Sequence, residues 1–110
     1  MIDIAQILAG IADPSLKEIV AEFLKLLQQA GQDSSALAQE TAQRTARWLT
    51  MEASGQLTQE EVTTLLEAQK NEILITLNTL AIEERERLQP LLSQLLDIAI
   101  NFIVKAIRAA

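Results

Sequence analysis

The sequence contains no cysteine, no histidine and no tyrosine. Without cysteine, the chain cannot form a disulfide, a thiolate nucleophile or a thiolate metal site. Without histidine, it cannot build a Ser-His-Asp triad, a His-bearing zinc site or a Glu-x-x-His di-iron site. We therefore expect a protein that is not an enzyme, with no catalytic residues, no metal site and no cofactor.

Glycine, proline and aromatic residues are scarce, with three glycines, two prolines and 3% aromatics in 110 residues. So few turn-forming residues cannot punctuate an all-β chain. The apolar residues are mainly Leu, Ile and Ala, and Leu and Ala are strong helix formers. The composition predicts a single all-α domain, residues 1–110, folded as an antiparallel helical bundle.

Positive charge is also in short supply, because 15 acids outnumber 9 bases and the net charge is −6. An acidic chain is a poor generic partner for nucleic acid or anionic membranes. Asp3 stands where a signal peptide would have basic residues, and polar side chains interrupt the apolar stretch 91–107. We expect a cytoplasmic protein without a transmembrane helix.

Local signals divide the first half of the chain into three helices, over residues 2–12, 14–30 and 35–54. Asp13 followed by Pro14 is typical of a helix start. Gly31 and Gly55 are typical helix ends. The third helix presents a stripe of small residues, which allows another helix to approach closely.

A capping box at Thr58 and Glu61 predicts the start of a fourth helix, and the short turn before it predicts a hairpin of helices three and four. An apolar seven-residue repeat of the coiled-coil type then continues to Phe102. We expect one long helix over 58–108, kinked near Pro90. The alternative is a break within 82–89, with Pro90 in the first turn of a fifth helix.

Three features within the helices each allow two interpretations. The charged run 83–87 is either a recognition patch or a solvated stretch of helix with a Glu83–Arg87 pair, and we favour the second interpretation. In that interpretation the run separates the hairpin from a more apolar bundle. Gln69 and Thr76 either set the helix register or lie at the edge of the apolar face. Trp48 is either an interface anchor or a cap on the small-residue stripe.

The segment 91–107 carries apolar side chains around most of its circumference, so it must be buried on nearly all sides. The first two helices are short, and we expect them to leave part of it uncovered. This predicts a protein-interaction or assembly subunit, first of all a homodimer, that associates through the C-terminal helix and helices one and two. Two alternatives remain: the segment is the central helix of the chain's own bundle, or the protein is a membrane-associated or membrane-perturbing helical protein. The predicted interface residues are Leu91, Leu95, Ile98, Phe102 and Trp48.

Overall fold

The computed structural model describes residues 4–11 and 13–107, of which 84% are helical and none forms a strand. This confirms the predicted all-α bundle. The helices, in chain order, are α1 (Ile4–Ala9), a 3₁₀ turn (Pro14–Leu16), α2 (Lys17–Gln32), α3 (Ala36–Ala53), α4 (Gln59–Leu77), α5 (Ile82–Ile98), a π-helical turn (Ala99–Ile103) and α6 (Val104–Ala106).

The first helix is shorter than the sequence predicts, and the second begins with a tighter turn. α1 ends at Ala9, and the predicted residues Ile2, Asp3 and Ala12 lie outside the described residues. Asp13 caps the 3₁₀ turn as expected, because its carboxylate accepts hydrogen bonds from the backbone N–H and the hydroxyl of Ser15. These bonds lower the pKa of Asp13.

Gly31 does not end the second helix, which continues to Gln32. Its role is in packing: a β-carbon at Gly31 would lie 3.9 Å from Cβ of Ala42 on α3. The small residues of α3 thus allow a close approach to α2, and α3 also contacts α4. The prediction that Gly31 is a helix stop is wrong, because the chain turns only at Asp33, which has extended backbone dihedral angles.

The connection between α3 and α4 follows the predicted local chemistry. Gly55 has a φ of 81°, a left-handed conformation that glycine adopts without strain. The Thr58 hydroxyl accepts a hydrogen bond from the Glu61 N–H, and the Glu61 carboxylate accepts one from the Thr58 N–H. The capping box is confirmed, and α4 begins where the sequence places it.

The predicted helix over 58–108 is wrong, because α4 ends at Leu77 and α5 begins at Ile82. The predicted alternative is also wrong, since the break precedes residues 82–89 and Pro90 lies deep inside α5. A helix over 58–108 would be about 75 Å long, whereas the longest extent of the molecule is 42 Å. Folding back at Asn78 instead lets the apolar faces of both helices enter one core.

One continuous hydrophobic core joins the helices of the described chain, so the predicted division into two zones is wrong. Leu8 enters it from α1, Phe23 from α2 and Leu49 from α3. Leu66 and Leu92 contribute from α4 and α5. Helices α3 and α4 therefore do not form a hairpin that is separate from an apolar bundle of the other helices.

Candidate interaction surfaces

A groove of about 810 Å³ runs between α1, the 3₁₀ turn and the C-terminal helical segment. We call it the α1–α6 groove. Its apolar walls are formed by Ile7, Ile11, Leu16, Phe102 and Ile107. Polar side chains border these walls, namely Gln6, Asp13, Asn101 and Lys105. The C-terminal segment thus faces α1 and the 3₁₀ turn across the groove, and Ala53 at the end of α3 also lines it.

Phe102 is the large apolar side chain that the C-terminal segment leaves exposed, with 41% of its surface accessible. It belongs to the π-helical turn, in which the Val104 N–H donates to the carbonyl of Ala99, five residues earlier. The wider turn rotates the residues that follow it, and such turns occur frequently at functional sites. Ile103 and Val104, its neighbours in sequence, are buried in the core.

The other predicted interface residues are less accessible. Leu95 is completely buried within its own chain, so it belongs to the core and its assignment to an interface is corrected. Leu91 and Ile98 are half-buried against the core. Trp48 is also half-buried and packs against the core from α3.

The segment 91–107 is covered by more than the first two helices, and Phe102 is the large apolar side chain of it that stays exposed. The segment packs not only against α2 but also against α3 and α4. Its buried side chains are Leu92, Leu95, Leu96, Ala99, Ile103, Val104 and Ile107. Helices α3 and α4 supply the additional walls, because the break after Leu77 returns α5 to them.

Of the four large apolar side chains that are exposed among the described residues, three lie elsewhere, at the junction of α4 and α5. We call residues 74–82 the α4–α5 corner. Ile75 and Ile82 are 70% and 66% exposed, and Leu74 is 40% exposed. The sequence analysis did not identify this surface. The sequence did contain one indication of their exposure: Leu74, Ile75 and Ile82 lie outside the apolar repeat, which passes through Ile73, Leu77 and Leu80.

Gln69 is buried and serves as a polar link between helices. Its side-chain carbonyl accepts a hydrogen bond of 2.9 Å from the guanidinium of Arg44 on α3. Arg44 also lies near Glu72, at 3.9 Å. The two interpretations of Gln69 are thus resolved in favour of a specific contact, whereas Thr76 is half-buried and donates to the carbonyl of Glu72 in its own helix.

The charged run 83–87 does not form the predicted Glu83–Arg87 pair, because Arg87 turns to Asp33 instead. Its guanidinium donates to both carboxylate oxygens of Asp33, at 3.0 and 3.3 Å. The bond from Arg87 lowers the pKa of Asp33, and the same contact raises the pKa of Arg87. The pair joins α5 to the α2–α3 connection, and Asp33 also accepts from the Ser35 N–H.

Glu52 near the end of α3 is a buried acid that the sequence analysis did not single out. Only 3% of its surface is accessible, and its Oε1 atom has no hydrogen-bond partner among the described residues. Burial raises its pKa to about 7. A carboxyl group with such a pKa can exchange a proton near neutral pH, but Glu52 does not line the α1–α6 groove.

Within the described residues, no set of three or more acidic side chains is placed to hold a metal ion, and none of the helices is long and apolar enough to cross a membrane. No known protein family, curated protein or solved structure matches this chain.

Proposed function

We propose that the protein is a non-catalytic assembly subunit that pairs with a second copy of itself through the α1–α6 groove. The observation that carries the proposal is Phe102, a large apolar side chain exposed on the wall of an apolar groove. Full burial of a phenylalanine side chain contributes about 1.5–3 kcal/mol, and a dimer would gain from each copy the share that belongs to the exposed 41% of Phe102. A two-fold interface would bury this side chain from both copies.

Charge supports a second copy as the occupant. The chain carries a net charge of −6, but residues 91–110 carry Asp97, Lys105 and Arg108, a net +1. Asp97 is already paired with Lys70 of α4. Two acidic chains repel each other least when they meet at their least acidic surface. Within the groove, the charges of Asp13 and Lys105 offset each other, so two copies would meet there without adding net negative charge.

Light scattering coupled to size-exclusion chromatography tests the proposal. We expect a dimer at concentrations of about 10–100 µM, the range expected for a modest apolar interface. Phe102→Ser should raise the dissociation constant about 10- to 50-fold, because each copy loses burial of the 41% of the side chain that the monomer leaves exposed. The matched control is Ile75→Ser, which removes a more exposed side chain near the end of α4, at the α4–α5 corner, and should leave the dimer intact.

A monomer at every concentration would reject self-association through the groove. If Phe102→Ser and Ile75→Ser changed the dissociation constant of the dimer equally, the dimer would form through a surface other than the groove. The alternative function, membrane association, is separated by flotation with phosphatidylcholine vesicles. Vesicle binding that depends on Phe102 would support a lipid surface, instead of a second copy, as the occupant of the groove.

A further inference from the structure

Independently of the groove, we infer that the α4–α5 corner is a second docking surface, which binds a basic amphipathic segment of another protein. The corner holds Leu74, Ile75 and Ile82, three of the four large apolar side chains that the described residues expose. Scattered single exposed residues are ordinary in soluble proteins. Here three such side chains lie within nine residues of one connection, so exposed apolar surface is concentrated at the corner.

The backbone of the corner is held by its own hydrogen bonds. The N–H groups of Asn78, Thr79 and Leu80 donate to the carbonyls of Ile75, Thr76 and Leu77. The Thr79 hydroxyl also donates to the Thr76 carbonyl. A partner would therefore meet a preformed surface and would not have to order this connection, which reduces the entropic cost of binding.

The charge beside the corner is negative, and this selects the partner. Glu83 and Glu86 are exposed, and Glu84 is half-exposed. Arg87 would neutralise part of this run, but Asp33 holds it. Lys70, on the other side of the corner, is held by Asp97.

Within the run 83–87, Arg85 is the base that Asp33 does not hold, against three glutamates. A partner with apolar side chains flanked by Lys or Arg would complement this surface. A second copy would not, since it would bring the same glutamates together.

The corner is separate from the groove. Ile82 and Phe102 lie twenty residues apart along α5 and the π-helical turn, which corresponds to about 30 Å of helix. The longest extent of the molecule is 42 Å. A chain with one surface for a second copy and another for a basic partner could hold both at once.

Fluorescence anisotropy with a labelled synthetic peptide tests the inference. The probe is an amphipathic peptide of Leu and Lys, about 18 residues long so that it can form five helical turns. The control peptide has Glu in place of every Lys. We expect the Leu/Lys peptide to bind and the Leu/Glu peptide not to bind. Added salt should weaken the complex.

Variants of the protein locate the binding surface. Ile75→Ser and Ile82→Ser should each weaken binding about tenfold, as expected when an apolar contact of this size is lost. Glu83→Gln together with Glu86→Gln should weaken binding and reduce its salt dependence. Phe102→Ser should leave it unchanged, which separates this inference from the function of the groove. Thermal melts check that each variant remains folded.

The inference is overturned if the isoleucine variants bind the Leu/Lys peptide as tightly as the parent, or if both peptides bind equally. It is also overturned if Ile82→Ser alters the oligomeric state, since the corner would then contact a second copy. Phosphatidylcholine vesicles that bind the parent but not Ile75→Ser would overturn it as well, in favour of a lipid surface.

Discussion

Glu52 should make the protein less stable as the pH rises through neutrality. Its pKa is raised from an ordinary value of 4.5 to about 7 by burial. Between these two values the folded chain holds a proton that the unfolded chain releases, so the free energy of unfolding falls with increasing pH. The shift corresponds to about 3 kcal/mol, absent at pH 4 and complete by pH 8.

Urea denaturation of the parent and of Glu52→Gln, from pH 5 to pH 8, measures this effect. Glutamine keeps the shape of the side chain but does not ionise, so the variant should lack this part of the pH dependence. It should be more stable than the parent by about 3 kcal/mol at pH 8 and by only about 1 kcal/mol at pH 5. Glu67→Gln, which removes an exposed acid from α4, should follow the parent at each pH.

If the free energies of unfolding of the parent and of Glu52→Gln changed with pH in parallel, the pKa of Glu52 would not be raised in the folded chain. Parallel profiles would mean that the carboxylate reaches solvent or finds a cation in the folded chain. The comparison between variants also removes the background of Asp13 and Asp33, whose lowered pKa values affect stability only at more acidic pH.

Three further changes test the local structure by chemical or thermal denaturation. Thr58→Ala should lower the free energy of unfolding by about 1 kcal/mol because it removes the cap of α4, whereas Thr64→Ala, an exposed position within that helix, should not destabilise the chain. Gly55→Ala should cost about 1 kcal/mol because alanine is strained at a φ of 81°; an unchanged stability would mean that the turn adopts another conformation. Asp33→Asn should cost about 1 kcal/mol by weakening the pair with Arg87, and it should have no effect in an Arg87→Ala background if that pair is the reason.

The break between α4 and α5 shows where sequence reasoning failed. Asn78, which ends α4, lies four residues before the stretch 82–89 in which the sequence predicts the alternative break. The residues on both sides of Asn78 are compatible with a helix, and no glycine or proline near Asn78 would end one. What ends the helix is the gain from returning Leu88 and Leu92 to a core that already holds Leu66, and this gain depends on distant contacts.

The candidate surfaces were predictable only in part. Phe102 was predicted as an interface residue, and the structure leaves it exposed; Leu95, seven residues earlier in the same repeat, is completely buried. A periodic pattern identifies an apolar face but does not say how much of that face the rest of the chain covers. For the same reason the pattern did not predict that Ile75 is exposed. Its exposure follows from its position beside the break between α4 and α5.

The sequence by itself determined the features that depend on neighbouring residues. It placed the all-helical class, the cap at Thr58 and the turn at Gly55, because their hydrogen bonds and dihedral angles involve residues within about one helical turn. Only the tertiary structure decided that Arg87 pairs with Asp33, 54 residues away, instead of with Glu83. Both acids are sterically available to an arginine on this helix, and the choice between them is made by the packing that brings the α2–α3 connection beside α5.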